Sequence, residues 1–217
     1  MGAVSSVALC SPTLAAVATF DSFSEGFSGT TITDGEITFF DLDERLSPEQ
    51  LPYTFFIERT TAEQLGSSFS APNYLTTEGY VPDSDLSFGR FGSARITTGK
   101  LGQAASLDLF SQLFSPSNNI LTLSAWRDGD LIASDSAALT DFETVATSPL
   151  LHKSLAISGV TFDELRLVAS GPDDDGVAFI GIDNVSVKPV PEPTSVLGIL
   201  LFGVGVASLK RQKKFVK

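Results

Sequence analysis

Ile120-Leu121-Thr122-Leu123-Ser124-Ala125-Trp126-Arg127, then Asp128-Gly129, then Asp130-Leu131-Ile132-Ala133-Ser134-Asp135-Ser136, is the stretch that decides the fold. Leu121, Leu123 and Ala125 fall on one side of an extended chain, and Thr122 and Ser124 on the other. That is the period-two pattern of a strand with one buried face. Asp-Gly suits a type I′ turn, because both central residues of that turn take positive φ. The stretch therefore reads as a β-hairpin. Trp126 follows the alternation imperfectly, so two places stay open for it: the core, or an outward rim position beside Arg127 from which it could stack on a ligand.

The same texture runs through the middle of the chain. Candidate strands are Ala18–Phe23, Glu36–Asp41, Tyr53–Arg59, Ser67–Ser70, Asp85–Phe91, Ala94–Thr97, Ala104–Leu109, Ile120–Arg127, Asp130–Ser136, Lys153–Ile157, Glu164–Ala169 and Phe179–Val187. Gly, Pro, Asn, Asp and Ser clusters separate them. Ser47–Leu51 is at most one helical turn, and no fixed-period repeat is present. Many short strands in one domain predict an all-β fold, a two-sheet antiparallel jelly-roll sandwich. The 17 phenylalanines are its expected filling, each contributing about 1.5–3 kcal/mol when fully buried.

The two ends differ from the middle. Residues 1–18 are apolar and small, and close on Ala16-Val17-Ala18, an A-x-A pattern of the signal-peptidase type. They read as a signal peptide without its basic front, which either a start codon placed further upstream or an atypical signal would explain. Residues 19–189 are the ectodomain. Residues 190–217 open with Val190-Pro191-Glu192-Pro193, whose two prolines exclude a helix or a central strand. An uncharged apolar segment follows, residues 194–209, about 24 Å long as a helix against a hydrocarbon core of roughly 30 Å. Lys210, Arg211, Lys213, Lys214 and Lys217 close the chain. A single C-terminal transmembrane helix is expected, its basic end inside and the domain outside.

Pro-Glu-Pro, an apolar span and a basic cluster, in that order, resemble the PEP-CTERM sorting domain of Gram-negative bacteria. The resemblance implies an exosortase-type membrane transpeptidase as partner. It also implies export, transient residence in the inner membrane, and then the cell surface or an extracellular matrix rich in exopolysaccharide. A second resemblance rests on Phe179-Ile180-Gly181-Ile182-Asp183-Asn184-Val185-Ser186-Val187, which is similar to the closing strand of jelly-roll carbohydrate-binding modules. There the aspartate often helps hold a structural calcium ion. For Asp183 the available partners are Asp21, Glu25 and Glu36, hard oxygen donors that suit calcium. The alternative is an Asp183 held by backbone amides at a strand end.

Charge and residue inventory exclude several functions. Without the five basic residues of the tail and Glu192, nine basic residues face 25 acidic ones, a net charge of −16. Such a surface repels phosphate backbones, so nucleic acid is not a partner. Cys10 is the only cysteine and His152 the only histidine. Neither a catalytic triad nor a zinc site of nitrogen and sulfur ligands can be assembled, and His152 is expected on the surface or in a loop. Asp173-Asp174-Asp175-Gly176 lacks the alternating ligands of a calcium loop. The expected role is a non-enzymatic one, structural or adhesive. The alternative is a carbohydrate-binding module or a carbohydrate-active enzyme on the same scaffold, with Trp126 at the ligand.

Overall fold

The hairpin forms as its sequence requires: β9 (Ile120–Arg127) and β10 (Asp130–Ala138) pair antiparallel from Arg127 opposite Asp130. Asp128 and Gly129 between them both have positive φ, +53° and +89°. Leu121, Leu123 and Ala125 are fully buried. The computed structural model describes residues 14–26, 28–41, 54–59, 73–78, 93–113, 120–144, 151–170 and 178–191.

The remaining strands, in chain order, are β1 (Ala16–Ala18), β2 (Ser28–Gly29), β3 (Thr31–Asp34), β4 (Ile37–Asp41), β5 (Thr54–Arg59), β6 (Asn73–Glu78), β7 (Ser93–Thr97) and β8 (Gly102–Leu113) ahead of the hairpin. After it come β11 (Glu143–Thr144), β12 (Leu151–Phe162), β13 (Glu164–Ser170) and β14 (Ala178–Pro189). Every pairing among them is antiparallel. One sheet has the order β11-β12-β8-β14-β6-β5-β2, with β1 also on β14; the other runs β10-β9-β13-β7-β4-β3. The architecture is thus an all-β two-sheet antiparallel sandwich, and among the described residues it has no α-helix. Ala15–Pro189 is one compact unit.

Between the sheets lie Ile32, Ile37, Phe39, Ile57, Leu75, Ile96, Leu107, Leu109, Leu123, Leu155, Leu167 and Ile182, each at most 1% exposed. Among the phenylalanines whose side chains are described, Phe20, Phe39, Phe55, Phe142 and Phe162 join this core and Phe23 packs against it, whereas Phe110 is buried outside it and Phe40 is half-exposed. Two sheets about 10 Å apart are filled by side chains from both inner faces.

Several expectations shift. The first strand is Ala16–Ala18, not Ala18–Phe23: the Asp34 carboxylate accepts the N–H groups of Thr19 (2.9 Å) and Phe20 (2.7 Å), and Phe20 turns with φ +60°. Those two amides are thereby withdrawn from any ladder. The Ala16-Val17-Ala18 pattern is consequently part of the sandwich, with Ala18 opposite Val185 and fully buried. Strand β6 and the short strands β2, β3 and β11 lie outside every expected strand. Ser67–Ser70, Asp85–Phe91, Glu192, Pro193 and the expected membrane span 194–209 lie outside the described residues, as does the Asp173-Asp174-Asp175-Gly176 turn. Val190 and Pro191 follow directly on β14, half-buried and exposed respectively.

Candidate functional site

Strand alternation assigns each side chain a face. On β9 the core takes Leu121, Leu123 and Ala125, so Thr122, Ser124 and Trp126 stand on the outer face of the six-stranded sheet. On β13 the core takes Leu165 and Leu167, leaving Glu164 and Arg166 outside; on β7 it takes Ala94 and Ile96, leaving Arg95 and Thr97. Phe40 is the outward neighbour of Phe39 on β4. Trp126 is therefore a half-buried surface residue, not a core one.

These side chains order one another across the strands. Trp126 Nε1–H donates to Ser124 Oγ at 2.8 Å, and Ser124 Oγ–H donates to the Arg166 carbonyl at 3.2 Å. The Arg166 guanidinium lies 4.0 Å from the Trp126 ring centroid, and that of Arg95 lies 4.5 Å from Phe40. Such cation–π contacts contribute about 0.5–1 kcal/mol each at exposed sites and hold the planar groups in place. Glu164 bonds Arg166 through Nε and reaches Arg95 Nη1 at 3.8 Å. Leu131, 56% exposed, is the register partner of Trp126 on β10. The result is a platform of two rings, two guanidinia and one carboxylate, bordered by hydroxyls of Ser124, Thr97, Thr38 and Thr33.

The outer face of the eight-stranded sheet carries a second cluster, and Asp183 belongs to it. Phe110 lies over Gly181, where a Cβ would come within 1.7 Å of the ring, so only glycine fits. Tyr74 meets Phe110 edge-on at 4.6 Å, and His152 is the register partner of Phe110 on β12. Asp183 is fully buried opposite Asp108, and its Oδ1 accepts the Asn184 N–H at 2.7 Å. Asn184 takes φ +49° at a bulge and donates through Nδ2 to Asp108, which also accepts from Ser154 Oγ at 2.6 Å. Burial lowers the His152 pKa below its ordinary value, and the Asp108 carboxylate opposes that shift. The expectation of a surface or loop histidine is corrected: His152 is 8% exposed within a strand.

The four expected calcium ligands do not converge as one set. Glu36 is ion-paired with Lys100 at 2.9 Å, and Glu25 is exposed in the turn after Phe23. Asp21 Oδ1 accepts the Asn73 N–H at 3.4 Å, and Asn73 also donates through Nδ2 to the Phe20 and Phe23 carbonyls. Asn73 is adjacent to Tyr74, one register step past the Leu75–Ile182 pair, whereas Asp183 lies midway along β14. Among the described residues no three acidic, histidine or cysteine side chains form a metal-holding group.

Sequence reasoning named Trp126 but missed Phe40, Arg95, Glu164 and Arg166. Each stands at an outward parity position, and the sequence carries that much; which strands are neighbours, and so which side chains meet, it does not carry.

No protein-family model and no curated protein sequence matches this chain. Among solved structures it is similar to a cleaved adhesin domain of Lys-gingipain from Porphyromonas gingivalis, at 10% identity and a TM-score of 0.48, over 81% of this chain and 98% of that one. A xylan-binding domain from Paenibacillus barcinonensis gives 12% identity and 0.37, over 86% and 99%. A carbohydrate-binding module specific for non-crystalline cellulose gives 12% and 0.38, over 62% and 79%. Likenesses at this level specify neither ligand nor activity here.

Proposed function

We propose that this chain is an exported, non-enzymatic cell-surface or matrix protein whose jelly-roll sandwich holds polysaccharide on the outer face of its six-stranded sheet. One observation carries the reading. Trp126 stands on the solvent side of the sheet, braced by Ser124 and Arg166, with Leu131 exposed beside it. An aromatic ring kept rigid on an otherwise hydroxyl-rich face offers a flat apolar surface to a sugar ring and polar groups around it. In this reading Val190-Pro191-Glu192-Pro193 is the element an exosortase-type transpeptidase recognises, and residues 194–209 hold the chain in the inner membrane until then.

Expression in an exosortase-bearing, exopolysaccharide-forming bacterium tests both halves. Wild type is expected in the surface and matrix fraction. Joint Pro191→Ala and Pro193→Ala substitution should leave the chain in the inner membrane, and Trp126→Ala should release it to the medium. Matrix retention of both variants at the wild-type level would sink the reading.

We also propose a structural calcium ion at Asp183 and Asp21, without Glu36, which Lys100 holds. The proposal rests on donor chemistry: a buried carboxylate is paired or metal-bound, and hard oxygen donors suit calcium. Chelation by EDTA should lower the melting temperature of the wild type and leave Asp21→Asn unaffected; an EDTA-independent wild type would refute the site.

A further inference from the structure

Arg95 and Arg166 are direct cross-strand partners in the β7–β13 pair. Like charges in that position repel and destabilise a sheet. The arrangement is the more unusual because only nine basic residues lie outside the C-terminal tail, against 25 acidic ones. Two of the nine are set against each other on one face.

The neighbourhood compensates them only in part. Glu164 is shared between both guanidinia, bonded to Arg166 and 3.8 Å from Arg95. One carboxylate against two guanidinia leaves a local charge of +1. Arg95 Nε is buried and has no acceptor among the described residues. Phe40 and Trp126 stack on the two guanidinia from opposite sides of the pair, which favours keeping both over this face. Both side chains remain open to solvent, Arg95 by 40% and Arg166 by 34%.

We infer that the pair is a carboxylate seat, and that the polysaccharide bound on this face is a uronic-acid polymer. This rests on the glycan-binding reading of Trp126 and adds the ligand's charge class to it. Guanidinium forks match carboxylates bidentately, and a second guanidinium alongside takes the remaining oxygen lone pairs. The ring of Trp126 and the ring of Phe40 flank the seat on either side. They belong to strands separated by β13 and β7, roughly 14–15 Å apart at the usual strand spacing. That span suits consecutive units of a chain rather than a single small acid. The acidic excess of the domain repels polyanions in general, so a polymer binds where its carboxylate reaches this arginine pair.

The test uses the full chain in detergent, its retention measured by affinity electrophoresis. Two gels are compared: polygalacturonate, and the same polymer with its carboxylates reduced to primary alcohols. Binding to the acidic polymer is expected to be about tenfold tighter than to the reduced one. Arg95→Met and Arg166→Met should each abolish that difference. Glu164→Gln, which removes the internal competitor, should tighten binding to the acidic polymer several-fold, a gain that misfolding cannot produce. Equal retention by both polymers, lost with Trp126→Ala but insensitive to the arginine variants, would overturn the carboxylate seat and keep the glycan reading. Retention by neither polymer would overturn both. Retention by a sulfated glycan or by single-stranded DNA as strong as by polygalacturonate would reduce the site to an unspecific anion patch and overturn the inference.

Discussion

His152 is the clearest case of a residue whose behaviour depends on what the fold puts over it. Burial holds its pKa below the ordinary value of 6.5. Above that value both folded and unfolded chains carry neutral imidazole, and the full contribution to stability is present. As pH falls below 6.5 the unfolded chain takes up the proton first, so stability declines until the folded pKa is reached. Urea titrations of the wild type and His152→Gln at pH 7.5 and 5 should therefore show a larger loss for the wild type; parallel losses would contradict it. From sequence, His152 shares parity with neither Leu155 nor Ile157, and an outward position on a strand normally faces water. Phe110, its cross-strand partner, comes from β8, beyond the reach of local pattern. Trp126 is a different case: the sequence left it open between the core and the outer rim, and the fold places it on the outer face with Thr122 and Ser124, beside the stacked Arg166.

At the scale of elements, legibility followed the number of buried faces. Strands β9, β13 and β7 each turn their apolar residues to one face and lie within about a residue of their expected limits. Strand β6 buries Asn73, Tyr74, Leu75 and Thr76 in succession. With both faces covered, alternation disappears and the polar composition reads as a loop. Strand β1 was hidden for another reason: three small residues carry no periodic signal, and the same residues match a peptidase pattern. Its structural role makes a measurable difference. Val17 and Ala16 continue the β14 ladder opposite Ser186 and Val187, and Ala18 is buried. A chain beginning at Thr19 should be less stable than one beginning at Ala15 by about 2–4 kcal/mol, the sum of a few ladder hydrogen bonds and one buried side chain. Urea midpoints compare them directly, and equal midpoints would show β1 to be dispensable.

For the whole molecule, the class of fold was readable because short alternating strands and turn dipeptides leave few other architectures. Strand order was not, since it is fixed by pairings such as β8 with β14, which join residues about seventy positions apart. Strand β14 is the hub of the larger sheet, bonded to β8 along most of its length, to β6 at Gly181–Ile182 and to β1 at Val185–Val187. A chain ending before Ala178 should consequently show no cooperative melt by circular dichroism; a sharp melt would mean the other strands close without it. The hub is also the last strand of the sandwich to leave the ribosome. The six-stranded sheet, which β14 does not touch, can pair before it is made, whereas β1, β6 and β8 lack their common neighbour until then. Closure of the larger sheet therefore coincides with synthesis of the Val190-Pro191 element that follows β14 directly, so the sandwich is finished by the very segment that adjoins its C-terminal motif.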